Sequence, residues 1–139
     1  MDKAELIWKT VSMYKSVLAI CLGASLGAIL RWLVSNWLNP VCALFPMGTL
    51  LVNVSGSLCI GLASGFFQAM PQLAPEWRLA VITGFLGALT TFSSFASEMG
   101  SLLLQHKYGA MFLGMFLHVT ASISAFLLGL WIWQIMASR

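Results

Sequence analysis

The chain has 139 residues, of which 60% are hydrophobic and only 8% charged, against about 25% charged in a typical soluble domain. Mean hydropathy is +0.91 and the net charge is only +3. These values exclude a soluble globular fold, point to the lipid bilayer as the surroundings, and give no reason to expect a nucleic-acid partner.

Residues 1–139 are expected to form a single four-helix transmembrane domain of the all-α class, with helices at about 16–38, 47–70, 79–104 and 110–136. Spans of roughly 20 residues suit a hydrocarbon core about 30 Å thick. The opening Met1 to Lys15 carries Asp2, Lys3, Glu5, Lys9 and Lys15 ahead of an apolar run. With no soluble domain behind it, this stretch reads as a short amphipathic extension preceding a retained first helix rather than a signal peptide.

Short turn-like segments separate the spans: Asn39-Pro40 through Pro46, Pro71 to Arg78, and Gln105 to Gly109. Tryptophan favours the headgroup zone, and Trp32, Trp37, Trp77, Trp131 and Trp133 fall at predicted helix ends. Four helices put both termini and the 71–78 loop on one face, with Lys3, Lys9, Lys15, Arg78 and Arg139, against Lys107 and Arg31 on the other. Setting aside Lys3 and Lys9, which are distant and interspersed with acids, leaves three against two, a bias small enough to permit either orientation.

In the first helix Gly23 and Gly27 lie on one face, and in the second Ser57, Gly61 and Gly65 recur every fourth residue. Small residues at this spacing let backbones approach closely inside lipid. Arg31 is either a side chain that snorkels to the headgroups or a fixed positive charge drawing anions into a vestibule. Asn53 sits within the second helix and can donate and accept hydrogen bonds, with Thr49 one turn before it on the same face.

The third helix contains Thr90, Thr91, Ser93 and Ser94 after Gly84 and Gly87, and both residue types weaken helix, so a break is expected there. Unwound backbone at membrane depth is tolerated where protein or a cavity satisfies it. Its freed carbonyls can then face a cation and its amides an anion. Phe92 and Phe95 share a face once the helix resumes, and their ring edges are the positive ends of the aromatic quadrupole. Glu98 follows, placed for a water-filled mouth or for pairing with Lys107 or Arg31. His118 and Ser122 are one turn apart on the fourth helix, placed to extend a polar strip.

Cys21, Cys42 and Cys59 are odd in number and lack paired metal-ligand spacing. No catalytic constellation and no phosphate loop is visible, so the chain is not expected to be an enzyme. Residue physics alone leads to a pore or a transporter.

Three motifs in order carry a resemblance to the small fluoride channels of the Fluc/CrcB family: Gly23-Ala24-Ser25-Leu26-Gly27-Ala28-Ile29-Leu30-Arg31-Trp32, Gly48-Thr49-Leu50-Leu51-Val52-Asn53-Val54-Ser55-Gly56, and Gly84-Phe85-Leu86-Gly87-Ala88-Leu89-Thr90-Thr91-Phe92-Ser93-Ser94-Phe95. The resemblance implies a dual-topology antiparallel homodimer in the inner cell membrane, passing fluoride passively and protecting against its toxicity. It further implies a sodium ion at the dimer interface held by the backbone carbonyls of Gly87 and Thr90. Phe92, Phe95 and Asn53 would line the pore, Arg31 a vestibule, and Ser94, Ser122 and Glu98 a polar track. The chain departs from the family pattern at Ala88, commonly glycine, at Ser94, commonly threonine, and at His118, often tyrosine or asparagine. A small proton-coupled dual-topology transporter is the rival, although such proteins carry a mid-membrane acid in the first helix, where this chain has Arg31.

Overall fold

In a computed structural model, residues 2–42 and 46–138 are described. Met1, residues 43–45 of the first loop, and Arg139 from the charge count lie outside the described residues. The chain is an all-α membrane protein with four crossings. They are α1 (Lys3–Leu38), α2 (Met47–Ala69), a composite third crossing, and α6 (Tyr108–Ala137).

The third crossing starts with α3 (Pro75–Arg78), continues through a π-helical segment (Leu79–Leu86) into α4 (Gly87–Leu89), and resumes as α5 (Phe92–Leu104). Between α4 and α5, Thr90 (φ −80°, ψ 153°) and Thr91 (φ −151°, ψ 118°) are extended. Nothing in the sequence pattern signalled the eight-residue π-helical segment; π geometry is rare and concentrates at functional sites.

One expectation is corrected. The first helix begins at Lys3, not near residue 16, because the supposed extension is helical and continuous with it. Residues 3–15 contain neither glycine nor proline, and Lys9 Nζ bonds Glu5 Oε1 at 2.7 Å, a favourable one-turn pair. The helix is therefore 36 residues long, about 54 Å at 1.5 Å per residue, well beyond the hydrocarbon thickness.

Backbone contact at glycines sets the packing. A Cβ on Gly23 would overlap the carbonyl of Ala80, and one on Gly27 that of Phe85, so α1 lies directly on the π-helical segment and α4. Gly61 of α2 faces the Phe126 carbonyl of α6, and Gly129 of α6 faces the Leu58 carbonyl of α2, again with no room for a Cβ.

Two apolar cores result. Val52, Leu86 and Leu89 form one, with Val34 and Phe85 packed against it; Phe95, Met99 and Leu102 form the other, with Ala110 and Met111. The two halves of the third crossing thus belong to different cores. The extended Thr90 and Thr91 mark where the chain changes partners.

Candidate functional site

Breaking a helix strands backbone groups, and inside a bilayer each must be satisfied by protein. Asn53 on α2 does this for Thr91 in both directions. The Thr91 N–H donates to Asn53 Oδ1 at 2.7 Å, and Asn53 Nδ2 donates to the Thr91 carbonyl at 3.0 Å. Thr91 then restarts the helix, since its Oγ1 accepts the Ser94 N–H at 3.1 Å as an N-cap. The Ser94 hydroxyl is engaged in the same place, 3.1 Å from Thr91 Oγ1.

These diversions release two carbonyls. A continuous helix would give the Thr91 N–H to Gly87 and the Ser94 N–H to Thr90, but those donors serve Asn53 and Thr91 Oγ1 instead. The neighbouring Ala88 carbonyl accepts from Arg31 Nε at 3.0 Å. Arg31 therefore reaches across to the break and does not pair with Glu98.

Glu98 is held elsewhere. Thr49, 1% exposed, donates its hydroxyl to Glu98 Oε1 at 2.5 Å. Asn39 Oδ1 accepts the N–H groups of Gly48 and Thr49 at 2.8 and 3.2 Å, closing the start of α2. Of the two alternatives for Glu98, pairing with Arg31 or Lys107 does not occur, because Thr49 faces it directly across from α2. Glu98 Oε2 is buried with no hydrogen-bond partner among the described residues.

Replacing Thr49 with valine removes the hydroxyl while keeping the shape. It should destabilise the protein by about 1–3 kcal/mol, the cost of an unsatisfied buried polar group, whereas Thr49→Ser should be near neutral; thermal unfolding of purified protein in detergent measures both.

Beside the break lies a pocket of about 310 Å³ lined by Asn53, Ser57, Thr90, Thr91, Phe92, Phe95, His118 and Ser122, with Ile60, Val119 and Ile123. The Phe92 and Phe95 rings are 5.5 Å apart, Phe92 being 77% exposed and Phe95 7%. Phe95 also lies against the His118 imidazole, centroids 4.7 Å apart.

Asn53 Nδ2 is 3.4 Å from His118 Nδ1. An amide nitrogen can only donate, so Nδ1 accepts, and in the neutral ring the proton then sits on Nε2. That nitrogen is buried with no hydrogen-bond partner among the described residues. His118 lines the same pocket as the Asn53 amide and several hydroxyls.

Of the expected site residues, the structure gathers Asn53, Thr90, Phe92, Phe95, His118 and Ser122 at this pocket. Thr49 and Glu98 pair one turn away along α2; Ser94, Gly87 and Arg31 flank the break without lining the pocket. Thr91 and Ser57 were missed as site residues. Thr91 had a readable signal, a hydroxyl three residues ahead of Ser94 at a helix restart. Ser57 continues the spacing of Thr49 and Asn53, so polar and glycine positions form a single stripe at 49, 53, 57, 61 and 65.

Residues 18–130 match the family described as CrcB-like protein, Camphor Resistance (CrcB). The chain belongs to the CrcB family. Similar proteins include the fluoride-specific ion channel FluC of Albidiferax ferrireducens, 52% identical over 115 residues covering 83% of this chain and 88% of the relative. The protein of the same name from Pseudomonas aeruginosa is 49% identical over 118 residues, 85% of this chain and 93% of the relative. That of Pseudomonas paraeruginosa is 46% identical over 127 residues, 91% and 100%. The CrcB match takes in all three sequence motifs and the whole pocket, and leaves the first 17 residues outside it.

Proposed function

We infer that the protein is a fluoride-specific ion channel, passing fluoride out of the cytoplasm down its electrochemical gradient and so limiting fluoride toxicity. The observation that carries this is the convergence of the Asn53 amide, the Thr90, Thr91 and Ser122 hydroxyls, the His118 imidazole and the Phe92 and Phe95 rings at one helix break. Fluoride holds its water tightly, so a path for it needs neutral donors that replace the shell without trapping the ion. Amide, hydroxyl and imidazole N–H groups and aromatic ring edges are such groups.

The working unit proposed is an antiparallel homodimer in the inner cell membrane. Phe92, part of the pocket wall, stands 77% exposed on the single chain, and Gly87 is exposed as well, surfaces that a second copy would cover. The near balance of basic residues permits the inverted insertion that such a pair requires.

Gly87 and Thr90 fit the sodium site that the resemblance assigns to them, because their helical donors are diverted at the break. One chain supplies only this pair of carbonyls, so the inverted copy would supply the matching pair. A sodium ion held there would offset the cost of bringing anions to the bilayer midplane. Asn53 and Thr91 occupy the N–H groups that would otherwise serve those carbonyls, and Arg31 holds the adjoining Ala88 carbonyl.

Reconstituted protein should release fluoride from liposomes, without matching release of chloride and with no dependence on an imposed proton gradient. Strict coupling to protons would favour the transporter reading, and absence of fluoride flux would remove the channel. Phe92→Ile and Phe95→Ile should each slow efflux by on the order of 10-fold or more, the loss of about 1.4 kcal/mol or more of stabilisation in transit, while the dimer persists on size-exclusion chromatography. Unaltered flux in both variants would take the rings out of the path.

A further inference from the structure

The Asn53 amide that supports the break also meets His118. Its Nδ2 lies 3.0 Å from the Thr91 carbonyl oxygen and 3.4 Å from His118 Nδ1, while Oδ1 accepts the Thr91 N–H at 2.7 Å. The Thr91 pair fixes which way round the amide sits. Exchanging its two ends would set N–H against the Thr91 N–H and oxygen against the Thr91 carbonyl, two repulsions in place of two bonds. His118 is therefore left facing a donor, and only an unprotonated Nδ1 can accept from it.

The imidazole has little freedom to avoid this contact. It is 4% exposed, and the Phe95 ring lies against it with centroids 4.7 Å apart. A proton on Nδ1 turns an acceptor into a second donor, so N–H opposes N–H at the side chain on which both backbone groups of Thr91 depend. Relief requires the ring or the amide to move, and turning the amide round sacrifices both Thr91 bonds. A second proton on His118 and an intact break thus compete, and acid favours the loosened form.

Few other groups on the surrounding elements titrate. On α2, packed along α6, there is no charged residue, and its one thiol, Cys59, is exposed. On α5 there is Glu98, one turn from Phe95 and bonded to Thr49. Besides His118, α6 carries only Tyr108, at its exposed start, and α1 brings Arg31 to the Ala88 carbonyl. Glu98 is the group whose titration must be told apart from that of His118.

We propose, on the channel reading above, that His118 is a positioning residue for the break: its unprotonated Nδ1 accepts from Asn53 and holds that amide on Thr91, and a proton there loosens the amide and slows fluoride. His118 acts through Asn53 in this role, whether or not its ring touches the ion.

Fluoride efflux from liposomes is measured at about pH 8 and about pH 5, the interval across which an imidazole changes charge. The leak of protein-free vesicles is subtracted, because protonated fluoride crosses lipid unaided. The unaltered protein should run severalfold slower at the lower pH. His118→Asn, which offers Oδ1 in place of Nδ1 and does not take up a proton, should lose that ratio whatever its absolute rate, and Glu98→Gln should keep it. His118→Phe, with no acceptor, should be slow at both. A ratio near one in the unaltered protein overturns the proposal, and so does a ratio that survives in His118→Asn or vanishes in Glu98→Gln.

A measurement without fluoride separates this from the channel reading. In His106→Gln, whose one remaining histidine is His118, the imidazole nitrogen resonances should place the proton on Nε2 at the higher pH. The Thr91 amide resonance should then shift in step as the ring takes up its second proton. A Thr91 signal that stays put while His118 titrates, or a ring that stays neutral at the lower pH, overturns the proposal irrespective of flux. Coupled signals in a protein that passes no fluoride at either pH would remove the channel and leave the His118–Asn53–Thr91 coupling standing.

Discussion

Asn53→Ala should reduce fluoride efflux by on the order of 100-fold and lower the unfolding temperature as well. The size follows from what the side chain holds. Both the N–H and the carbonyl of Thr91 rely on it, at 2.7 and 3.0 Å, and each orphaned buried group costs about 1–3 kcal/mol, with no water in the bilayer core to take its place. The cheapest response is for the break to shift, which moves Phe92 and Phe95 and returns helical donors to the Gly87 and Thr90 carbonyls. Asn53→Asp separates support from conduction. It keeps an acceptor for the Thr91 N–H but sets a carboxylate oxygen against the Thr91 carbonyl and a negative charge beside the anion path, so efflux should vanish there too. Liposome efflux paired with thermal unfolding reads both effects, and unchanged efflux in Asn53→Ala would remove this residue from break and pathway together.

The parts of the fold legible in the sequence were those governed by composition and by short-range spacing. The ends of α2 at Met47 and Ala69 and of α6 at Tyr108 and Ala137 fall within two residues of expectation, because long apolar runs bounded by proline and turn residues leave little choice. The start of α1 was misplaced because charge was taken to mean the end of the helix, whereas Glu5 and Lys9 are spaced to reinforce it.

Partners across helices were less accessible. Glu98 was offered a water-filled mouth or, on grounds of charge, Lys107 or Arg31, and the hydrogen-bond partner it has is Thr49; that Arg31 bonds the Ala88 carbonyl was not foreseen. Each outcome depends on which residues two crossings bring side by side, which one sequence does not encode locally. Asn53 and the hydroxyl cluster could be read separately as unusual polar residues in lipid. Their relation, an amide standing in for the missing turn of another helix, required the crossing of α2 with the third span.

Gly61→Ala and Gly129→Ala should each destabilise the protein by about 1–3 kcal/mol, the range for overpacking a filled interior, while Gly100→Ala should be neutral or stabilising by up to about 1 kcal/mol. The three differ only in what surrounds them. A Cβ at Gly61 or Gly129 would overlap a carbonyl of the facing helix, Phe126 in one case and Leu58 in the other, and backbone cannot step aside as a flexible side chain can. Gly100, within α5, has nothing within 4 Å of that position, so alanine there only improves helix propensity. Because Gly61 and Gly129 face each other's helices at one crossing, a single separation of α2 from α6 relieves both clashes, and the double variant should lose less than the sum of the two. Thermal unfolding of the four proteins in detergent is the measurement. A loss at Gly100 as large as that at Gly129 would mean that alanine is harmful in these helices generally, and that close approach of α2 and α6 is not what the glycines provide.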